Sequence, residues 1–459
     1  MVERSAPNRG CRFKSGSGSS RAVCTASNSL FNSAGRTVVF VPCLGLGLWL
    51  QSAAPSQARP AQYTPSPGLL HWARFFLCFS YNTVVQYAFV WGRTPSLSQA
   101  ELAQLLSVWE LEVEEVSAGE VFSIFEFGDL DPTPLFRRLG GTVKVARLDH
   151  KLPAPEGKVQ FGISLYGGGT AKEKKELEIS LKEIIRAKGA NSRFVRGQGL
   201  SLSSGTVTRE RLLERGFEWC RFYARGVIGQ AGNQWLEGQT VWVQPIEEWA
   251  ARDQARPYRD PRVGMLPPKL ARILVNLAVR AKPAASAGPV YDPLCGSGTI
   301  LQETLVLGYE ASGADKEPRM VEYTRSNLVW LRDLQKGLGE PVEVAVRGAE
   351  EPPGYSCEAI VTEGYLGPPL ERMPSRQAQA ELSVELSKLY EGLSEAARSV
   401  LSPGKRLIVC LPYFKQSGQF VRLEHVDDEL FAGYTRLGSY DYRREQQIVG
   451  REVRVYERT

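Results

Sequence analysis

The hydrophobic and polar pattern predicts three modules after residue 80. Up to about residue 247, the pattern predicts single strands and amphipathic helices separated by turns. From about residue 258 to the end, short apolar runs alternate with helical patterns, which predicts a parallel sheet with helices on both faces. The fold class expected for the whole is α/β, with a smaller α+β region in front.

The first module is expected over residues 81–155. The apolar run 84–90 predicts a buried strand. Ser98 as N-cap with Glu101 three residues later forms a capping-box pattern, followed by leucines and a tryptophan on one helical face. The segment 139–146, with two glycines before valines, predicts a turn that enters a strand.

The second module is expected over residues 156–247. Apolar residues alternate over 159–165, as in a half-buried strand. A helix is predicted over 172–188 and ends at Gly189, the residue type that most often follows a helix. Its expected buried face carries Leu177, Leu181, Ile184 and Ile185.

The third module is expected over residues 258–459. Its predicted strands are 290–291, 358–361 and 407–411, with a short extended segment at 309–314. Its predicted helices are 267–281, 299–307 and 318–334, the last with Pro318 as its first residue. Two extended pieces, 434–442 and 449–456, predict an antiparallel hairpin at the edge of the sheet.

Residues 1–80 differ in composition from the rest of the chain. They are rich in Ser, Gly, Ala and Pro, which cannot fill a core. Their apolar run, residues 38–50, is interrupted by Pro42 and two glycines and is shorter than the roughly 20 residues that a membrane span needs. We read this segment as a disordered leader or an over-called start, with an organellar transit peptide as the alternative. The expected location is therefore the cytoplasm.

The charge distribution and the reactive side chains limit the classes of function that are expected for this chain. The formal net charge is +6, but residues 1–100 hold nine basic side chains and one acid, so the body is close to neutral. Basic residues concentrate between 172 and 225, with 13 Lys and Arg against seven Glu. This stretch is either a solvated face of Glu/Lys pairs or a nucleic-acid contact. Eight cysteines without a C-x-x-C pair and three scattered histidines predict neither disulfides nor a metal site.

The most informative string runs from Asp292 to Ile300, DPLCGSGTI. A strand enters a glycine turn that opens a helix, so a ligand can meet backbone N–H groups there. Gly296 and Gly298 have no side chains and allow close approach of the backbone. Asp315 follows at the end of the next extended segment, where a carboxylate can accept both hydroxyls of a ribose.

Nicotinamide-dependent dehydrogenases share a glycine turn with a downstream acid. Their fingerprint needs a third glycine, and here that position is Leu301. Asp292 would also repel a pyrophosphate. It suits a ligand with an ammonium group, such as S-adenosylmethionine, which has an ammonium, a sulfonium and a ribose but no phosphate.

Residues 81–459 resemble the tRNA guanine-N2 methyltransferases that act on the position-10 guanosine. The matching strings are YAFV at 87–90, LSQAEL at 97–102, LGGT at 139–142, RD at 252–253, RP at 256–257, GMLPPKLA at 264–271, NLA at 276–278, DPLCGSGTI at 292–300, NL at 327–328 and RE at 451–452. The pairing of the GMLPPKLA and DPLCGSGTI strings is the specific part of this resemblance.

The resemblance implies a ferredoxin-like domain, a THUMP domain that grips tRNA, and a Rossmann-like class I methyltransferase domain. It implies S-adenosylmethionine as cofactor and tRNA as partner, with or without a small activator subunit, and neither membrane nor metal. The expected cofactor-binding residues are Asp292, Cys295, Gly296, Ser297, Gly298, Thr299, Asp315, Glu350, Pro267 and Lys269. The expected RNA-binding residues are Lys174, Lys175, Lys182, Arg186, Arg193 and Arg196.

The sequence departs from the family at its catalytic motif, Asp-Pro-Pro-Tyr. Here the chain reads Thr362–Glu363–Gly364–Tyr365. We expect Glu363 to accept a hydrogen bond from the guanine amine and Tyr365 to stack on the base, with Thr362 as the alternative match to the motif aspartate. Glu350 stands where relatives carry an aspartate for the adenine amine. Cys295 has no neighbouring base in the sequence and is expected to be a small filler.

The function expected from these residues is N2-methylguanosine formation in tRNA, by direct displacement at the sulfonium. One alternative is an exocyclic-amine methyltransferase on ribosomal RNA or DNA. The other is a non-catalytic RNA-binding protein that retains the donor pocket. The sequence leaves open the nucleotide modified and whether one or two methyl groups are added.

Overall fold

The computed structural model divides the chain into two units, residues 1–74 and residues 75–459. The residues that it describes are 30–31, 37–38, 84–128, 131–148, 151–152, 157–225, 233–259, 265–283, 288–367, 370, 372–416, 419–443 and 447–459. In the first unit these form one short antiparallel pair. The rest of the expected leader, 1–80, lies outside the described residues.

The strands, in chain order, are β1 (Leu30–Phe31), β2 (Thr37–Val38), β3 (Val85–Trp91), β4 (Val113–Ser117), β5 (Phe122–Phe127), β6 (Thr142–Arg147), β7 (Lys158–Tyr166), β8 (Asn191–Val195), β9 (Gly216–Arg225), β10 (Asn233–Val243), β11 (Val290–Asp292), β12 (Ala311–Asp315), β13 (Glu343–Val346), β14 (Cys357–Thr362), β15 (Leu401–Gln416), β16 (Gln419–Arg422), β17 (Tyr434–Tyr442) and β18 (Val449–Arg458).

The α-helices are α1 (Pro95–Val108), α2 (Thr133–Arg138), α3 (Ala171–Ala187), α4 (Ser204–Arg209), α5 (Leu212–Arg215), α6 (Ile246–Ala250), α7 (Pro268–Ala278), α8 (Thr299–Val306), α9 (Pro318–Leu334) and α10 (Arg376–Val400). A π-helical turn follows α6 at Ala251–Ala255, and a 3₁₀ turn lies at Asp428–Phe431. Every helix among the described residues is too short or too polar to span a membrane.

The first two expected modules share one eight-stranded sheet. Its strand order is β4-β5-β3-β6-β10-β9-β7-β8. Pairs from β4 to β9 are antiparallel, and β7 pairs in parallel with both β9 and β8. The β6–β10 pairing therefore joins the two halves through backbone hydrogen bonds.

The third module is a second sheet, in the order β13-β12-β11-β14-β15-β18-β17. Its first five strands are parallel, whereas β18 runs antiparallel between β15 and β17. The sheet thus has the Rossmann-like class I methyltransferase fold that the sequence predicts. The expected terminal hairpin is present, and its second strand lies inside the sheet rather than at the edge.

Successive side chains of the central strands point to opposite faces of the sheet, and both sets are mostly apolar, which explains why helices cover both faces. Ala359 and Val361 of β14 pack with α7, whereas Ile360 between them packs with α10. All six residues of β14 are buried, as expected for a strand covered on both faces.

Several helices differ from the sequence predictions. Helix α9 has its predicted bounds, with Pro318 at its first position. Helix α7 is shorter than the predicted 267–281, ending at Ala278. Ile184 was expected in the buried face of α3 but is exposed. Helix α10 was not predicted from the sequence, although Ser375 caps it and its leucines are buried at helical spacing.

The predicted capping box at Ser98 and Glu101 is wrong. Helix α1 begins at Pro95, and its N-cap is Thr94, because proline is already suited to the first turn. Ser98 therefore lies inside the helix, where its Oγ donates to the carbonyl oxygens of Thr94 and Gly141.

Glu101 instead connects the two sheets. Its side chain is fully buried and accepts the backbone N–H groups of Gly140 and Gly141 at 2.9 and 2.8 Å. Asn276 of α7 donates to the same carboxylate at 2.7 Å. Burial raises the pKa of Glu101, and these donors partly oppose that rise. Leu97 from the same helix packs into the core beneath α7.

We expect Glu101→Gln to destabilise the protein by roughly 1–3 kcal/mol, because the amide places a donor where the carboxylate accepts an N–H and leaves a buried group unpaired. The midpoint of the urea unfolding transition measures this loss. Glu114→Gln, a change of the same type at an exposed position of β4, is the control and should leave the midpoint unchanged. Equal midpoints for both variants would contradict this role of Glu101.

Candidate active site

A cavity of about 610 Å³ lies at the carboxyl ends of the parallel strands. This is the edge at which open α/β sheets bind ligands. The expected site residues that line it are Asp292, Cys295, Gly296, Ser297, Thr299, Asp315, Glu350, Glu363 and Tyr365. They lie at the carboxyl ends of β11 and β12, in the segments that follow β11, β13 and β14, and at the start of α8, so residues up to 73 positions apart in the sequence surround one cavity.

The glycine loop has a backbone that other residues would not adopt easily. Gly296 and Gly298 have φ angles of +52° and +85°. Gly298 is the N-cap of α8, and a Cβ there would lie 2.9 Å from Thr324. A Cβ at Gly296 would meet no atom within 4 Å. The loop is therefore fixed against α9 at one glycine and open at the other.

Side chains on two neighbouring elements hold this loop in place. Asp315 at the end of β12 accepts the Gly296 N–H at 2.9 Å. From α9, Thr324 donates to the Gly296 carbonyl at 2.8 Å, and Asn327 donates to the Ser297 carbonyl at 2.9 Å. The N-terminus of α8 is thus preorganised on one wall of the cavity.

Asp292 is a buried acid with few hydrogen bonds to offset the cost of burying its charge. It is 2% exposed, and the Leu294 N–H donates to its Oδ1 at 3.1 Å. Burial raises the pKa of Asp292 to about 8; the charges of Asp315 and Glu363 also raise it. No basic side chain forms an ion pair with it among the described residues, so a cationic ligand group would stabilise its ionised form.

Glu363 has an ion-pair partner that was not predicted from the sequence. Arg451 of β18 donates to Glu363 Oε1, with both Nε and a terminal nitrogen at 2.6 Å. The Arg451 side chain is 7% exposed and the Glu363 side chain 19%. The only sequence signal for this role was an arginine within the matched Arg451–Glu452 pair, in a strand that is otherwise apolar at alternate positions. The contact fixes the direction of the carboxylate at the cavity wall.

The backbone after β14 is shaped by Gly364 and Tyr390. Gly364 has a φ angle of +74°, and a Cβ there would lie 2.5 Å from the Tyr390 hydroxyl and 2.9 Å from the Cys410 carbonyl. The Tyr390 hydroxyl donates to the Tyr365 carbonyl at 3.1 Å. This arrangement leaves Tyr365 38% exposed at the cavity.

Four expected site residues do not line the cavity. Gly298 lies against Thr324, as described above. Thr362 is fully buried at the end of β14, where its Oγ1 accepts the Gly364 N–H. Pro267 is the N-cap of α7, and Lys269 donates to Gln244 and lies 5.9 Å from the Trp249 ring. Met265 and Leu266 line the cavity in their place.

Cys295 lines the cavity without the features of a nucleophile. It is buried, and burial raises the pKa of its thiol well above the ordinary value. It packs in the core between α8 and α9. This position agrees with the expectation of a small filler.

The expected RNA-binding residues differ in whether their side chains form ion pairs or hydrogen bonds within the protein. Lys175 and Lys182 both pair with the buried Glu178, at 3.1 and 2.5 Å. Arg193 pairs with Glu210, and Lys174 donates to the Gly199 carbonyl. Arg186 and Arg196 are exposed and form no ion pair among the described residues. The pairs around Glu178 match the alternative of a face of Glu/Lys pairs.

Within the described part of the chain, no group of three or more His, Cys, Asp or Glu side chains is arranged to hold a metal ion. His425 is described, on a loop after β16. His71 and His150 lie outside the described residues.

Comparison with known proteins agrees with this architecture. Residues 256–427 match the family described as UPF0020, RMKL-like, methyltransferase domain. A protein of Methanothermobacter thermautotrophicus named tRNA (guanine(10)-N2)-dimethyltransferase is 31% identical over 210 residues, which cover 45% of this chain and 54% of that protein. A protein of the same name from Pyrococcus abyssi is 28% identical over 184 residues, 38% of this chain and 49% of that protein.

The chain therefore spans about half the length of the curated relatives that it matches. They confirm the resemblance to tRNA guanine-N2 methyltransferases. Among solved structures, TrmN from Thermus thermophilus aligns with a TM-score of 0.47 and 16% identity over 82% of this chain and all of that one. A possible methylase from Clostridium difficile 630 aligns with a TM-score of 0.46 and 12% identity, over 82% of this chain and 98% of that one.

We expect Gly364→Ala to lower stability by about 1–3 kcal/mol, because the new Cβ enters a left-handed backbone and meets the Tyr390 hydroxyl. Thermal unfolding measures the effect. Gly354→Ala is the control, since a Cβ there meets nothing within 4 Å and its φ is not positive. A melting temperature that Gly364→Ala leaves unchanged would show that the loop accepts a side chain and that its shape is not fixed by Tyr390.

Proposed function

We propose that this chain is an S-adenosylmethionine-dependent RNA methyltransferase that forms N2-methylguanosine in tRNA. The observation that carries this proposal is the position of Glu363, oriented by Arg451, in the same cavity as the glycine loop and Asp315. The names of the two curated relatives support the choice of tRNA and of the guanine amine.

The cavity residues fit S-adenosylmethionine. Asp292 would hold the ammonium group, since its raised pKa reports a buried carboxyl without a cationic partner. Asp315 would accept the ribose hydroxyls, because each of its oxygens uses one lone pair for a backbone N–H and keeps another. Glu350 is exposed on the same cavity and would face the adenine amine. When bound, the cofactor supplies an electrophilic methyl group on its sulfonium.

Glu363 and Tyr365 would present the target base. The guanine amine is a weak nucleophile, since its lone pair is shared with the ring. A carboxylate that accepts one of its hydrogens directs the nitrogen and receives the proton that becomes acidic on transfer. The exposed ring of Tyr365 offers a surface for stacking. Rate enhancement would come mainly from this positioning.

The first sheet would hold the tRNA. We propose a ferredoxin-like domain over 81–155 and a THUMP-like domain over 156–247, with the methyltransferase domain over 258–459. Arg186 and Arg196 are the best placed of the basic residues for phosphate contacts, since they are exposed and unpaired among the described residues. We also propose that the protein acts in the cytoplasm, a location consistent with a tRNA substrate. A small activator subunit is a further proposed partner.

We expect Glu363→Ala to lower methyl transfer to tRNA by about 10²–10⁴-fold, the range typical of a lost acid–base group. The measurement is transfer of label from S-adenosylmethionine to bulk tRNA, followed by nucleoside analysis. The parent protein should form labelled N2-methylguanosine, and both proteins should bind donor and tRNA with similar affinity.

The control is Glu424→Ala, an exposed glutamate whose side chain does not line the cavity. Label in ribosomal RNA or DNA but not in tRNA would contradict the substrate and keep the reaction. Donor binding without transfer to any nucleic acid would contradict catalysis by this chain alone, and would mean either a missing activator subunit or a binding protein with a methyltransferase fold.

We expect donor affinity to rise with pH between 6 and 7.5, by up to about tenfold per unit. Asp292 has a pKa of about 8 in the free protein, so most of it is protonated in this range and must lose a proton to pair with an ammonium. Calorimetric titration of S-adenosylhomocysteine, which has the same ammonium, measures the affinity and the released proton. Asp292→Asn should bind more weakly with no such slope, and a slope that survives this change would exclude Asp292 as its source.

A further inference from the structure

Helix α10 forms the wall of the cavity that faces the loop after β14. Leu382 of α10 packs against Gly367, whose Cβ would lie 3.0 Å from it. Two turns later, Tyr390 donates to the Tyr365 carbonyl, and Gly392 lies beside Glu350. The helix therefore runs from the side of the proposed target base towards the side of the proposed cofactor adenine.

Glu385 and Leu389 are the residues of this helix that line the cavity. They are four positions apart and so lie on one helical face. Glu385 lies between Leu382 and Tyr390 in the sequence, on the stretch of helix that contacts residues 364–367. Its charge also contributes to the raised pKa of Tyr365, as expected for neighbours.

Glu385 has no hydrogen bond or ion pair among the described residues and is exposed. Of the other acids around Tyr365, Glu363 pairs with Arg451, and Asp292 is buried behind the glycine loop, where it accepts the Leu294 N–H. Glu317 and Glu350 follow β12 and β13, on the cofactor side. Glu385 is thus a free acceptor on the target side.

We propose that Glu385 selects guanine by accepting a hydrogen bond from the N1–H of the target base. This inference rests on the proposed function. The Watson–Crick edge of guanine carries two adjacent donors, N1–H and the N2 amine. Two carboxylates, Glu385 and Glu363, match those donors. Adenine presents a lone pair at N1, and cytosine one at N3, so each would face a carboxylate with an acceptor.

The two donors of guanine also determine how other bases are disfavoured. Guanine offers one donor to each of these two carboxylates, whereas a base that lacks N1–H offers a donor to Glu363 alone. A base without the second donor brings a lone pair to the Glu385 carboxylate, and this contact between two acceptors costs affinity and rate. Selection would therefore act on kcat/KM for the RNA and leave the donor KM unchanged.

The test compares two RNAs that differ at one base. A tRNA is assembled from synthetic pieces with guanosine or 2-aminopurine at the position methylated by the parent protein. 2-Aminopurine keeps the exocyclic amine but has a lone pair at N1. We expect Glu385→Ala to lower kcat/KM for the guanosine RNA by about 10- to 100-fold, the equivalent of one hydrogen bond to a charged group. For the 2-aminopurine RNA, kcat/KM should change less than about threefold.

Glu391→Ala is the matched control, an exposed glutamate on the same helix that does not line the cavity. It should leave kcat/KM unchanged for both RNAs. Equal losses of Glu385→Ala on both RNAs, or no loss on either, would overturn the proposal. A raised KM for S-adenosylmethionine would assign Glu385 to the donor instead. If the parent protein methylates no guanosine RNA, the proposed function itself fails, and this outcome appears before any variant is compared.

Discussion

A buried carboxylate needs donors, and in this protein the donors come from distant parts of the chain. Glu101 accepts two backbone N–H groups from the turn before β6 and one amide from α7. Glu303 of α8 is likewise fully buried between Arg252 and Arg272, at 2.6 and 2.7 Å. Each carboxylate fixes elements of both sheets or of the segment between them. The placement of α7 and α8, and with it the glycine loop, depends on these contacts.

Asp292 differs from these acids in a way that matters for function. It is almost as deeply buried, but its partners are only the Leu294 N–H and Thr362, whereas Glu101 accepts from three donors and Glu303 pairs with two arginines. The buried carboxylate at the cavity therefore has fewer donors than the buried carboxylates that hold the fold together. A ligand with a positive charge supplies the missing partner, which couples binding to the ionisation of one side chain.

Local signals made much of the fold predictable. Pro318 marks the first turn of α9, and alternation identifies β7, because both patterns act over a few residues. Glu101 was misread because a capping box and a buried acceptor have the same sequence signature, and its true partners lie 39 to 175 residues away. The glycine loop was recognisable as a contiguous string. The Arg451–Glu363 pair spans 88 positions, and no local pattern reports such a contact.

The place of β18 in the sheet has a consequence for the order of events during synthesis. Both neighbours of β18, β15 and β17, precede it in the chain, and it pairs antiparallel with each. Until β18 leaves the ribosome, two strands have unpaired edges and Glu363 lacks its arginine. A chaperone or a partial chain would meet those open edges. The candidate acceptor therefore gains its arginine only with the strand that joins the last two edges of the sheet.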